Sequence, residues 1–477
     1  MFKNLRIPHV FALLAIVIFV AGLLSYVVPS GTFQREEIQV GSLTRTVVVP
    51  GSYQPIPKNY SLKGIFLDDD VAGKATPVGL MGFLTAIPRG LEQTADIIFF
   101  IFLIGGVFGI LTRTGTITAA IQALINKLNH SGTALTVLLM LVISAGGSTL
   151  GMAEEFIPLV PVFLYISHKL GYDKIYGLAL VFVSAEIGFA AATTNPFNVQ
   201  IAQGIAEVPL GSGIGFRLIF YVVILTSAIL YMLRYGKRLK ANPANSYLQA
   251  DNTYEESDAP EAHELTRNHI YILLAGGSLF VGILWAVQTQ GWWMAEMGAG
   301  FLAIGIVTAI LGKLSLNDAT QAFVKGMEDM VVGALVVGFA KGIQVVLVDG
   351  QIMDTMIYYA SNSLQYLPKV LAAEGMLVFQ TLLNFFIPSG SGQAATTIPL
   401  MAPLADLLGI TRQTAIFAFT CGDGFSNTII PTSGILMAML GIAKIPFKDW
   451  LRFMLPLFGL LILISALFLA IAVWINY

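Results

Sequence analysis

The sequence predicts an all-α integral membrane protein organised as an inverted repeat, with about nine spans, two re-entrant hairpins and two broken helices. Three observations carry that expectation. Hydrophobic residues make up 56% of the 477 and charged residues only 11%, with a mean hydropathy of +0.77. A soluble domain carries about 25% charged residues, so lipid is the main solvent here. Apolar runs near the ~20 residues needed to cross a bilayer recur along the chain. Finally, an ordered series of short motifs repeats at an offset close to 236.

The first run, roughly 10–28, lacks a clear small-residue cleavage site and reads as a retained helix rather than a signal peptide. Others fall near 96–112, 174–206, 214–233, 269–288, 296–312, 329–348, 412–442 and 453–474. Two more, near 133–167 and 371–407, are interrupted at their centres by Gly, Ser and Pro. They predict re-entrant hairpins that enter and leave by one face. Counting hairpins as no crossing leaves nine spans. Lys3, Arg6 and the Lys/Arg groups at 169–174, 234–240, 313–325 and 444–452 then share one side. By the positive-inside rule that side is cytoplasmic, with the C-terminus external. Arg89, Arg217 and Lys369 run against the bias.

Residues 30–79 form an external loop after the 1–29 helix, and alternation around Gly41-Ser42 predicts a small β-hairpin there. Residues 236–267 are polar, lack an apolar period, and read as a cytoplasmic linker. Between them lies repeat 1 (80–235); a connecting helix pair (268–315) and repeat 2 (316–477) follow the linker. The repeat pairs Ala86, Gly90 and Glu92 with Ala322, Gly326 and Glu328, and Ser148, Gly151 and Pro158 with Ser389, Gly392 and Pro399. Gly188-Phe189 pairs with Gly424-Phe425, and Glu207 with Lys444. Two crossings separate the repeats, so the second starts on the opposite face. Inverted repeats with broken elements are the architecture of secondary transporters, which alternate access around a midplane site.

That architecture locates the candidate site. A re-entrant hairpin exposes peptide groups that no helix satisfies, tolerable only against protein or a water-filled cavity. The first tip, "GGSTLGMAEEFIP", offers Ser148, Thr149, Gly151, Glu154 and Glu155; the second, "PSGSGQAATTIP", offers Ser389, Gly390, Ser391 and Gln393. The broken spans add Asn195 and Asn198 at "ATTNPFNVQ", and Asp423 and Asn427 around "FSNTIIPTSG". These are the expected substrate contacts. Hydroxyl and amide oxygens at the breaks, from Thr193, Thr194, Asn195, Ser426, Asn427, Thr428 and Thr432, suit a small hard cation. A lone Thr-Asn-Pro would be an ordinary kink; its symmetry mate argues for binding. Glu154 and Glu155 could instead sit in water at a shallow tip, and Glu186 could be a structural hydrogen-bonding group. Lys341 is the one basic residue deep in a predicted span, where it could pair, snorkel or bind.

At the hairpins, "GSTLGMAEEFIPLVP", "AEIGFAAATTNPFNVQIAQGIAEVPL" and "IPSGSGQAATTIPLMAPLADLLG" resemble the YfcC family of the ion transporter superfamily. That family sits with the anaerobic carriers of four-carbon dicarboxylates and includes arginine/ornithine antiporters. The resemblance covers nearly the whole chain. It implies a dimerising scaffold domain, a transport domain of hairpins and broken helices, a homodimer in the bacterial cytoplasmic (inner) membrane, and often sodium as coupling ion. The superfamily's Ser-Asn-Thr signature at hairpin tips stands here in a broken helix, at Ser426-Asn427-Thr428, which leaves Na+ or H+ open as the coupling ion.

Glu154, Glu155, Glu186 and Asp423 against one deep cation favour a cationic substrate, because excess negative charge in a dry cavity discriminates strongly. The expectation is therefore a secondary carrier of arginine, ornithine or lysine, by exchange or symport. A four-carbon dicarboxylate carrier and a re-entrant-hairpin channel are the alternatives. No cofactor and no nucleic-acid partner are expected at a net charge of −2. Nor is an enzyme. There is no GxxxxGK[ST] for a pump, "HELTR" lacks the second His of a metalloprotease, and Thr420-Cys421-Gly422-Asp423 lacks the first Gly of an intramembrane aspartyl protease. Cys421 is the sole cysteine, so neither an internal disulfide nor a cysteine zinc site is expected.

Overall fold

The computed structural model describes residues 10–40, 43–67, 69–127, 131–248, 264–290, 292 and 294–477. Helix α1 (Val10–Val27) leads into strands β1 (Ser30–Thr32), β2 (Arg35–Val40), β3 (Leu43–Val48) and β4 (Gln54–Ile56), then the short α2 (Leu62–Phe66). The first helical run follows: α3 (Leu80–Gln93), α4 (Ala95–Arg113), α5 (Thr116–Lys127), α6 (Gly132–Leu150), a 3-10 turn (Glu154–Leu159), α7 (Val160–Lys169), α8 (Lys174–Ala190), α9 (Val199–Ile205) and α10 (Ile214–Ala241). After α11 (Arg267–Gln290) and α12 (Met294–Leu311) the order recurs. It runs α13 (Leu316–Asp329), α14 (Val331–Asp349), α15 (Met353–Leu364), α16 (Lys369–Asn384), α17 (Gly390–Leu408), α18 (Arg412–Ser426), α19 (Gly434–Ala443) and α20 (Phe447–Ile475).

The 236-residue offset read from the motifs carries the first residue of α3, Leu80, onto the first residue of α13, Leu316 (80 + 236), and Ala95 of α4 onto Val331 of α14 (95 + 236). Even a backbone detail recurs. Glu207 and Lys444, paired by the motif register, both take left-handed conformations (φ 57° and 54°) just after the short helices α9 and α19.

Among the described residues, eight helices are long and apolar enough to cross a membrane, against nine expected spans. The difference has a physical cause. Pro196 and Pro431 supply no backbone N–H and bias the preceding residue away from helix. The runs 174–206 and 412–442 therefore split into α8/α9 and α18/α19, none of which is long enough, whereas α6, expected as one arm of a hairpin that does not cross, is. The breaks fall where the prolines predict. Asn198 accepts from the Val199 N–H to restart α9, and Ser433 Oγ accepts from the Leu436 N–H at 3.3 Å to restart α19. Helices α3, α5, α13 and α15 were not expected as separate elements. The first and third are amphipathic, with too little apolar length to register as spans. The linker also begins later than position 236. Helix α10 continues to Ala241, and Ser246 Oγ donates to Asp173 Oδ2 at 2.6 Å; residues 249–263 of the expected linker lie outside the described residues.

The two halves grip each other reciprocally. Helix α3 packs on α14 and α13 packs on α4. Within each half, α6 lies on α8 and α16 on α18; between the halves, α9 touches α17 and α19 touches α7. The α4–α13 crossing brings backbones together: a Cβ on Gly109 would lie 2.1 Å from the Ala322 carbonyl oxygen, and one on Gly326 would lie 2.2 Å from that of Gly105.

The expected β-hairpin is present as antiparallel β2 and β3, with Glu37 opposite Thr46; its turn, Gly41-Ser42, lies outside the described residues. The segment is anchored. Asp354 at the start of α15 accepts from the Phe33 N–H at 2.9 Å and from both Arg35 Nη atoms at 3.0 and 2.7 Å, while β3 lies on α17. Removing the carboxylate in Asp354→Ala strands a buried N–H and is expected to cost about 1–3 kcal/mol. A lowered thermal midpoint and faster proteolysis within 30–56 would report it; wild-type behaviour in both would show that the anchor is dispensable.

Candidate functional site

Both hairpin tips and both helix breaks meet around one cavity of about 280 Å³. That is slightly below the ~300–1,000 Å³ of clefts for drug-sized ligands, so a small metabolite is the right scale. The first hairpin turns at Gly151, whose φ of +71° is left-handed; a Cβ there would also come within 2.3 Å of Asn195 Oδ1. The turn delivers Glu154 and Glu155 to the cavity wall, half-buried, at the start of the 3-10 turn. The Ala153 N–H donates to Glu155 Oε2 at 2.9 Å. The pair thus lines the cavity.

Glu186 of α8 joins them on the same wall. It accepts from Asn427 Nδ2 at 3.3 Å, and Asn427 Oδ1 in turn accepts from Asn384 Nδ2 at 2.7 Å. Asn384 Nδ2 also reaches the Asp423 carbonyl and Ser426 Oγ, at 2.7 and 2.8 Å. One amide therefore clamps the end of α18 to the second hairpin.

That hairpin presents Ser389, Gly390 and Ser391 to the cavity as the opening of α17, while Thr432 and Ser433 present the opening of α19. The first N–H groups of a helix lack intrahelical partners and carry partial positive charge. Two such ends facing one space can receive a carboxylate.

The other expected residues stand behind the wall. Ser148 Oγ contacts Thr193 Oγ1 at 3.1 Å and donates to the Ala191 carbonyl at 3.2 Å, while the Ser148 carbonyl accepts from the N–H groups of Thr193 and Thr194. It latches hairpin to broken helix. Thr149 Oγ1 donates back to the Ala145 carbonyl at 2.6 Å. Asn195 Oδ1 accepts from the Phe197 N–H, and Asn198 Nδ2 donates to the Phe189 carbonyl, both at 2.8 Å. Gln393 Nε2 donates to Gln380 Oε1 at 2.7 Å in the buried α16–α17 contact. Ser426 Oγ and Thr428 Oγ1 donate to carbonyls of their own chain turn, at Gly422 (2.6 Å) and Phe425 (2.7 Å). Asp423 is fully buried and neither carboxylate oxygen has a hydrogen-bond partner among the described residues. It lies just behind the tip, where a Cβ on Gly390 would be 3.0 Å from Oδ2.

The sequence reading missed part of the lining. Gln93, Thr94 and Asp96 at the α3–α4 junction, with Lys341 and Gln344 of α14, complete the cavity. Asp96 carried a usable signal, a carboxylate at the edge of an apolar run. Gln93, Thr94 and Gln344 carried none, since only packing turns them inward.

The sequence model of the family described as "DcuC: C4-dicarboxylate anaerobic carrier" matches residues 7–474. The chain belongs to this family. It is 34% identical over 489 aligned residues to "Putative basic amino acid antiporter YfcC" of Escherichia coli (strain K12), covering 97% of this chain and 96% of that one. An uncharacterized protein of Haemophilus influenzae is 31% identical over 91% of this chain and 83% of its own. Solved structures of the Alcanivorax borkumensis YdaH transporter and Neisseria gonorrhoeae MtrF each align over 98% of this chain, at 19% identity and a TM-score of 0.45, and over 99% and 96% of their own chains. The family model over nearly the whole chain, with the membrane-length apolar helices, makes this DcuC-family member a multi-pass membrane transporter.

Proposed function

We propose that this transporter carries basic amino acids, by exchange or ion-coupled symport. One observation carries the reading. Among the described residues, the cavity lining includes four carboxylates, Asp96, Glu154, Glu155 and Glu186, and a single basic side chain, Lys341. A dicarboxylate would enter against that balance, whereas arginine, ornithine or lysine brings the missing positive charge. The openings of α17 and α19 supply donors for its carboxylate. The name of the Escherichia coli relative supports the same reading.

The two repeats are read as inverted in the membrane, with α6/α7 and α16/α17 as re-entrant hairpins. Helices α3, α4, α13 and α14 interlock and form the scaffold; the hairpins, broken helices, α10 and α20 form the moving unit. Alternating access is then elevator-like. The buried Asp423, with neither oxygen bonded, is the candidate group for a coupling cation, Na+ or H+. We place the protein in the bacterial inner membrane as a homodimer, N-terminus cytoplasmic and C-terminus external.

The competing reading, a four-carbon dicarboxylate carrier, is favoured by the family's description and would use Lys341 and the two helix openings as anion contacts. Thermal stabilisation of the purified protein by arginine, ornithine, lysine, succinate and fumarate separates the two, followed by counterflow of any hit in proteoliposomes. Stabilisation by at least one basic amino acid, with its counterflow, is expected. Stabilisation by succinate with no response to any basic amino acid would refute the proposal.

A further inference from the structure

Two parts of the cavity lining differ in charge pattern. The wall made by the first hairpin and α8 bears acids only: Glu154, Glu155 and Glu186. The wall made by α4 and α14 bears one acid and one base, Asp96 and Lys341. These two lie within electrostatic reach of one another without closing an ion pair, and Asp96 also lies within reach of Glu154. Lys341 Nζ donates instead to Gln344 Oε1 at 2.7 Å, and Asp96 Oδ1 accepts from the Ile97 N–H at 2.9 Å. Each helical neighbour orients its charged group, and no ion pair closes between the two.

We propose that Lys341 and Asp96 form a head-group clamp, Lys341 taking the α-carboxylate and Asp96 the α-ammonium of an amino acid whose cationic tail lies on the wall of acids. The inference rests on the basic-amino-acid reading and goes beyond it, because it assigns selection of the head group to the scaffold rather than to the hairpins. A separated cation and anion match a zwitterion. A wall of acids alone would accept a diamine equally well, since each of its ends is positive. Among the described residues Lys341 is the only basic side chain in the lining, so it is what makes a carboxylate-bearing cation preferable to one without. Gln344 holds the ammonium in place, and the opening of α19, packed against α14, brings backbone donors to the same carboxylate.

Agmatine, which is arginine without its carboxylate, isolates this contact. Titrations of both ligands against the full-length purified protein, read by thermal shift, give two apparent Kd values for each variant. A charge-assisted hydrogen bond corresponds to at least about a tenfold change in Kd. Wild-type protein is expected to bind arginine at least about tenfold more tightly than agmatine. In Lys341→Gln the gap should close by weakening arginine alone, and Lys341→Arg should restore part of it. Agmatine binding doubles as the folding control for Lys341→Gln. Equal affinities in the wild type, or a gap that survives Lys341→Gln, would overturn the clamp while leaving the basic-amino-acid reading intact. If neither ligand shifts the wild type while succinate does, that reading fails and the clamp fails with it.

Discussion

The Glu154→Gln and Glu155→Gln variants are each expected to weaken arginine binding by about 10- to 100-fold for whichever residue meets the cationic tail, and the double variant to abolish measurable exchange. The magnitude is that of a hydrogen bond to a charged group, about 1.5–3 kcal/mol. Glutamine keeps the size of the side chain and can still hydrogen-bond, so the change isolates charge. Both carboxylates line the cavity half-buried, beside Glu186, where no Lys or Arg lies on the same wall. Charge removed there leaves less to attract a guanidinium or ammonium group. Dissociation constants from thermal shift, with uptake in proteoliposomes as the functional readout, decide the matter. Wild-type affinity and uptake in the double variant would show that the tip is only solvated, and the acidic wall would lose its role in the proposal.

Gly326→Ala is expected to prevent assembly of the α4–α13 crossing, a loss exceeding about 3 kcal/mol. Small-to-large changes in packed cores cost ~1–3 kcal/mol when the neighbour is a side chain that can move. Here the new Cβ would meet the Gly105 carbonyl oxygen at 2.2 Å and the Gly109 Cα at 3.0 Å, both backbone. Neither can yield without separating the helices. Gly277→Ala on α11 makes the same chemical change with nothing within 4 Å of the new atom. It should be neutral or slightly stabilising, since alanine exceeds glycine in helix propensity by ~1 kcal/mol. Size-exclusion profiles and thermal midpoints in detergent compare the two directly. Equal behaviour would mean that the crossing is looser than its backbone spacing implies.

Much of this molecule is legible in its chain because the determinants are local. Apolar length sets the spans, Pro196 and Pro431 place the breaks, and alternation around Gly41-Ser42 sets the β2–β3 pairing. The repeat was also readable, because one element order had to be encoded twice and its landmarks stayed in register: Leu80 with Leu316, Glu207 with Lys444. What resisted was facing. Ser148 and Ser389 are repeat mates of identical chemistry, yet Ser148 is turned away to bind Thr193 while Ser389 opens α17 into the cavity. Thr149 and Gln393 were equally plausible site residues and were drawn into local bonds instead. The Asp96 and Lys341 part of the lining came from helices that look unremarkable alone. Asp96 and Lys341 are 245 residues apart (341 − 96) and meet across one space because α3 packs on α14 and α4 on α13. A polar side chain in lipid must find a partner or a cavity, and sequence can say that much. Which of the two it finds depends on the interlocking of elements distant in the chain, and only the tertiary structure decides it.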